Sequence, residues 1–400
     1  MSRWLVLLMA VASGAAVANL CYAQPLLSIM ARDLACEESL VAYVPGLTLT
    51  GYAFGMLLFG PLGDLFERRK LIVTMLATTG VVCVAVALSP NITFLWVASL
   101  LLGFVTISAQ LLIPFAAHLA PHASRGRVVG TVMSGLLIGL LLARTASGSI
   151  GAVLGWRAIY WLAAGLMLVF AAVMWRTLPG CKPQRVITYP HLIRSIFVLA
   201  REHPIIGRSA LIGGMSNGVI NAFWATLVFL LEKPPYGYGS FVAGMFGLVG
   251  VVGASIAPLT GILADKRGPN IALGLGLCTT TTSLVILILF GHFLAGLIIG
   301  IILIDLGVQA TQISNQARIY SLPTAIHSRV NTIYMGGYAF GGGVGGFLGA
   351  LGWKMAQWDG VCGFCFLMIG ISLAIFAWEQ TFRPRAATLP HGLPQVSDQA

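Results

Sequence analysis

Twelve runs of about 20 mostly apolar residues follow one another along this chain, separated by short polar connections. That is the length a helix needs to cross a hydrocarbon layer roughly 30 Å thick, at about 1.5 Å per residue. The runs lie at 5–30, 40–63, 71–89, 94–120, 128–154, 158–178, 206–231, 240–263, 270–290, 293–317, 330–352 and 360–379. Water would not hold such a chain in solution: 58% of its 400 residues are hydrophobic and 9% charged, where a soluble domain carries roughly a quarter charged residues. The expected fold is all-α and membrane-embedded, with twelve spanning helices. The first run is longer than the roughly 7–15-residue apolar core of a secretory signal, so it is expected to be retained.

The net charge of +11 does not imply nucleic acid, because the basic residues sit in short clusters between apolar runs rather than on one face. Short basic loops orient membrane proteins, the Lys/Arg-rich side being the cytoplasm. With the N-terminus inside, 18 of the 23 Lys and Arg fall on inner segments. Both termini are therefore expected in the cytoplasm, in a multi-pass cell (inner) membrane protein. The expected layout is a six-helix bundle at 1–178, a cytoplasmic linker at 179–205, a second bundle at 206–379 and a disordered tail at 380–400. Seven scattered cysteines imply no disulfide framework. Cys362 and Cys365 read as ordinary lipid-embedded residues. No phosphate-binding G-x-x-x-x-G-K-[ST] loop is present, and no metal or cofactor is expected.

The chain is doubled. At a shift of 202 residues, Asn19 meets Asn221, Tyr22 meets Trp224, Gln110 meets Gln312 and Arg127 meets Arg329. One residue less aligns "GPLGD" with "GILAD", placing Gly60 on Gly261 and Asp64 on Asp265. Paired halves that rock about a shared site are a transporter design.

The doubling and these two loops resemble the major facilitator superfamily, over nearly the whole chain. The family's G-x-L-x-D-R-x-G-R-K pattern is matched in "GPLGDLFERRK" by Gly60, Leu62, Asp64, Arg68 and Arg69, with Leu65 and Glu67 departing from it. In "GILADKRG" it is matched by Gly261, Leu263, Asp265, Lys266 and Gly268. Helix 1, "ANLCYAQPLL", resembles the bacterial efflux-type, drug/proton antiporter-like branch. An Asp beside several Arg at a helix end can form charge-assisted bonds, so these loops are expected to gate the cytoplasmic side. Positive-inside anchoring alone is the alternative. The helix 5 signature G-x-x-x-G-P-x-x-G-G of efflux members is altered here: Ala143 and Arg144 replace Gly-Pro. That departure suggests an anionic group on the substrate, or a pairing of Arg144 with an acid.

Two charges stand out at mid-span, Arg144 and Asp305; intramembrane ionisable groups are costly and face the bundle interior. Asp305 lies roughly 18 Å from the outer end of its helix. With Gln309, Gln312 and Gln316 it forms one polar stripe, all within about 60° at 100° per residue. Its counterpart in the first half is Gly103, so the acid is not part of the doubled frame. Asn19 and Tyr22 on helix 1, Gln110 on helix 4, and Asn217, Asn221 and Trp224 on helix 7 join Arg144, Gln309 and Gln312 as candidate cavity-lining residues. The resemblance implies that helices 1, 4, 7 and 10 line the cavity. For each single amide, interhelical hydrogen bonding is an equal alternative. A carboxylate withdrawn from water takes up a proton more readily, which makes Asp305 the candidate for proton coupling; a permanent ion pair with Arg144 is the alternative. Gly337, Gly341, Gly345 and Gly349, and Gly51 and Gly55, read as surfaces for close helix packing.

Together these features point to a secondary transporter, not an enzyme. It would export a small drug-like or metabolite molecule by alternating access in exchange for protons, as a monomer in the lipid bilayer. A metabolite facilitator or proton symporter is the second reading, and a non-transporting receptor or scaffold the third. A green fluorescent protein fused to the C-terminus is expected to fluoresce, and alkaline phosphatase fused at the same place to be silent. The reverse pattern would invert the assigned orientation.

Overall fold

The computed structural model describes residues 2–60, 62, 65–121, 124–180, 189–250, 266–323 and 326–381. Among these residues all regular structure is helical. In chain order the helices are α1 (Arg3–Ala18), α2 (Leu27–Asp33), α3 (Glu38–Val41), α4 (Tyr43–Phe59), α5 (Arg68–Ala87), α6 (Ile92–Val105), α7 (Ser108–Leu119) and α8 (Arg125–Leu154). Then follow α9 (Trp156–Thr177), α10 (Tyr189–Glu202), α11 (Pro204–Glu232), α12 (Ser240–Gly250), α13 (Pro269–Phe290), α14 (Leu294–Ile319) and α15 (His327–Thr381). α15 is two spans, 327–355 and 358–381, separated by non-helical Ala356 and Gln357.

The twelve expected spans are all represented. Three are broken. The first is α1 followed by turns, a 3-10 turn at Gln24–Leu26 and α2. Pro25 removes a backbone donor there, and short bonds such as Cys21 N to Ala18 O at 3.0 Å carry the chain across. The second is a helix-2 span made of α3 and α4. The third is α6 and α7, interrupted after Val105. The eighth span is described only as α12. The linker contains α10, which its polar composition did not announce. Residues 181–188, and the tail beyond 381, lie outside the described residues.

Side-chain burial is that of a protein whose solvent is lipid. Val153, Leu154, Met355 and Phe293 are among the most exposed residues, while Ser13, Thr79, Ser147, Ser216, Thr280 and Ser314 are fully buried. A soluble domain distributes these residue types the other way. Nine described helices are long and apolar enough to span, one of them the double-length α15.

Glycine sets how closely the spans approach. α11 lies against the first span of α15, where a Cβ on Gly214 would stand 2.8 Å from the Gly337 carbonyl oxygen and 3.5 Å from the Gly341 Cα. Gly218 meets Gly341 and Gly345 in the same way, and Gly349 meets Ala222. The first half repeats the device, with Gly14 of α1 against Gly135 and Gly139 of α8. Gly51 and Gly55 of α4 abut the backbone of Leu100 and Phe104. Small residues let backbones touch where lipid offers no hydrophobic drive to association. Between the halves, Gly46 of α4 packs on Gly343 and Gly346 of α15, and Gly148 of α8 on Gly244 of α12. The architecture is two pseudo-symmetric six-helix bundles joined face to face. Gly341→Leu is expected to lower the thermal midpoint of the purified protein, at an overpacking cost of roughly 1–3 kcal/mol. Gly363→Leu, where nothing lies within 4 Å of an added Cβ, leaves it unchanged.

Candidate functional site

The broken first span brings Gln24 to the bundle interface, where its Oε1 accepts a 2.7 Å bond from Arg144 Nε of α8. The Arg144 guanidinium lies 4.2 Å from the ring centre of Trp224 in α11. The same indole also approaches Gly250 of α12. A Cβ there would stand 3.4 Å from Trp224 Cζ2 and 2.7 Å from Asp305 Oδ2 of α14. Among the described residues Asp305 Oδ2 is sealed from solvent and has no hydrogen-bond partner. Among the described residues Asp305 forms no ion pair, although Arg144 is the charge that acts on it across the gap. The permanent Arg144–Asp305 pair considered from the sequence is thus not present. Four helices and the 3-10 turn, drawn from both bundles, meet at this cluster.

The acid exists because a glycine changed helix. In the first half, a Cβ at Gly103 would run into the Thr48 carbonyl oxygen of α4. Shifted by 202 residues, Thr48 becomes Gly250 and Gly103 becomes Asp305. The small residue of the contact has moved to the neighbouring helix, and the side of α14 that gained room carries a carboxylate.

The stripe on α14 leans toward α15. Gln312 Oε1 accepts from Tyr338 OH at 3.3 Å, and Gln316 Nε2 lies 3.7 Å from Met335 Sδ. Gln309 is partly buried. Asn217 donates to the Tyr338 carbonyl at 2.8 Å, and Asn221 donates to Asn217 O and Oδ1 at 2.8 and 3.0 Å. Asn19 donates to Ala15 O and Ala16 O and accepts from Cys83, inside the first bundle. Tyr22 packs edge-on against Tyr160. Asn19, Asn217 and Asn221 thus make the interhelical and local bonds that were the alternative to cavity lining.

A cavity of about 500 Å³ opens elsewhere, toward the face that carries both ends of the described chain. Met56, Gly60, Arg68, Gln110 and Thr332 are among its lining residues; Arg144, Trp224 and Asp305 are not. Gln110 there donates to Tyr52 OH at 3.1 Å. Of the loop motif residues, Gly60 closes α4 through a 3.0 Å bond to Met56 O. Arg69 donates to Trp175 O and lies over the Trp175 ring at 4.7 Å. Lys266 is exposed. Asp64, Gly261 and Asp265 lie outside the described residues.

The opposite face is tied shut between the bundles. Glu38 accepts from Trp353 Nε1 at 2.8 Å and pairs with Lys233 at 3.3 Å, and Arg32 pairs with Glu232 at 3.3 Å. Beneath them the Ser28 and Ser240 hydroxyls are 3.4 Å apart. Beside them Arg157 bonds Asp33 and holds its carboxyl below the usual carboxylate range. At the other end of the second bundle, buried Arg318 pairs with buried Glu379, which also pairs with Arg208 at 3.6 Å.

Sequence reasoning did not single out Gln24, Gly250, Tyr338 or Glu379. Gln24 stood inside the quoted "ANLCYAQPLL", but counting helical faces through Pro25 fails once the helix breaks.

Two helical bundles, a charged site buried between them and one closed face define a membrane transporter. The profile of the Major Facilitator Superfamily matches residues 6–346, and the chain belongs to that superfamily. It is 38% identical over 397 residues to the uncharacterised transporter YgaY of Escherichia coli O157:H7, covering 97% of this chain and 98% of that one. It is 23% identical over 337 residues to a probable sugar efflux transporter of Helicobacter pylori, covering 82% of each. Its fold superposes with a TM-score of 0.76 on a bacterial homologue of the human lysosomal transporter Spinster, in an inward-facing and occupied conformation. That match is at 11% identity and covers 95% of this chain and 98% of that one. The family and these relatives are transporters, not enzymes.

Gly250→Val is expected to lower the thermal midpoint, since the added carbons and the Asp305 carboxylate compete for one space. Asp305→Ala in the same chain should restore it. A double variant as unstable as Gly250→Val alone would show that the two residues do not share that space.

Proposed function

We propose that the chain is a proton-coupled secondary transporter that exports a small organic molecule, drug-like or metabolite, across a bacterial inner membrane. Substrate and proton would share the site formed by Arg144, Trp224 and Asp305, reached alternately from either side as the bundles rock. The observation that carries this reading is Asp305 Oδ2, buried at the interface of the bundles with no partner among the described residues. An acid in a permanent ion pair is held ionised; one without a partner is free to gain and lose a proton as its surroundings change. The Lys/Arg bias supports cytoplasmic termini, with bundles at 1–178 and 206–379, a cytoplasmic linker between them, and a monomer as the working unit. The efflux-type resemblance and the description of the Helicobacter relative support the outward direction.

Exchange against protons and joint movement with them differ in whether the proton competes with the substrate or accompanies it. Exchange is the reading that the resemblance favours. Joint movement is favoured by the Arg144 charge, which has no carboxylate in contact to balance it.

The test is a proteoliposome assay with an internal pH dye and a panel of organic acids, amines and sugars, on the parent and Asp305→Asn. Active compounds are expected to move protons in the parent. In the variant they cross without protons or do not cross. Equal proton movement in both proteins would remove Asp305 from the coupling step.

A further inference from the structure

Three charged residues are buried among the described residues: Arg144, Arg318 and Glu379. The last two pair with each other, and Arg144 has no carboxylate in contact. It sits ten residues before the Leu154 end of α8, roughly 15 Å along the axis, which is beyond the reach of a lipid headgroup. Its one side-chain hydrogen bond among the described residues runs from Nε to Gln24, so Nη1 and Nη2 remain available. Two further donors around it have no acceptor among the described residues, Gln24 Nε2 and Trp224 Nε1, on side chains 2% and 3% exposed. The bond to Arg144 fixes which end of the Gln24 amide is oxygen, so its free end is a donor. Buried donors without acceptors are costly. Here they are gathered round an unbalanced cation.

We infer that this cluster is an anion subsite and that the transported molecule is a small organic carboxylate with an apolar body. The inference rests on the proposed role of the Arg144–Trp224–Asp305 site in transport. The carboxylate oxygens take Arg144 Nη1 and Nη2, Gln24 Nε2 and Trp224 Nε1; Arg suits such planar, two-oxygen recognition. A single charge is called for, because the other buried cation among the described residues, Arg318, is paired with Glu379.

Asp305 decides when the subsite attracts an anion. The charged or titratable groups that face it are Arg144 from α8 and Tyr338 from α15; α11 presents Trp224 and α12 presents Gly250. With Asp305 ionised, the site is neutral overall and a second carboxylate is repelled. With Asp305 protonated, the Arg144 charge is left over and the substrate balances it. Proton and carboxylate therefore bind together, which is the joint-movement alternative; an inward proton gradient would then draw the carboxylate in rather than drive it out.

The test is thermal stabilisation of the purified protein by acetate, benzoate and naphthoate, alongside the matching amides and amines. It is run on the parent, Arg144→Gln, Trp224→Phe and Asp305→Asn. At least one carboxylate should raise the parent's midpoint, more in mildly acid than in mildly alkaline buffer. Arg144→Gln should abolish the shift. Trp224→Phe, which keeps the ring and loses the donor, should weaken binding roughly tenfold. Asp305→Asn should keep the shift and lose its pH dependence. Unliganded melts of each variant verify folding. The anion subsite is overturned if no carboxylate stabilises the parent, if Arg144→Gln responds equally, or if the amines stabilise instead. Proton coupling through Asp305 is read separately, by flux in liposomes, and stands or falls on that result.

Discussion

A cation and a carboxylate are held at mid-depth between two bundles without touching each other. Either charge alone would be expensive in a hydrocarbon medium, and a direct pair would satisfy both and leave nothing to regulate. The Trp224 indole, with Arg144 over one part and Gly250 beside another, keeps them apart yet within electrical reach. Helix packing brings four helices and the 3-10 turn at Gln24–Leu26 to this point.

Backbone proximity does that work. Stacked glycines at α1–α8 and α11–α15 make each bundle rigid. The Gly46–Gly343 and Gly148–Gly244 contacts let the bundles meet on smooth backbone surfaces. The Gly148–Gly244 contact carries one hydrogen bond, from Thr145 to the Gly244 carbonyl at 3.0 Å, whereas the ion pairs between the bundles gather at one face, where Glu38 holds Lys233 and Trp353. Exposed ion pairs of this kind contribute little each, about 0–1 kcal/mol. They can therefore close a face without locking it.

The sequence made the spans legible because hydrocarbon thickness dictates their length, and made the doubling legible because both bundles reuse the same packing residues. Arg144 and Asp305 stood out because charge is rare in apolar runs. What could not be read was which way a broken helix turns its side chains: Asn19 and Gln24 are five residues apart, yet the first is satisfied inside its own bundle and the second crosses to Arg144. Gly250 was silent for a different reason, since a glycine carries no chemistry until the group filling its space is known. The linker helix α10 does carry a helical amphipathic pattern over Tyr189–Glu202, which the polar composition of the linker masked, whereas the Arg318–Glu379 pair depends on a tertiary contact that no local pattern encodes.

Distances between spin labels on the closed face, one at Ala35 and one at Tyr238, test the account most directly. Pulsed electron–electron resonance is recorded in acid and in alkaline buffer, for the parent and for Asp305→Asn. The account predicts a short and a long population in the parent whose ratio changes with pH, and an Asp305→Asn protein fixed near the acid ratio in both buffers. A single distance indifferent to pH, or an Asp305→Asn protein that titrates as the parent does, would contradict it.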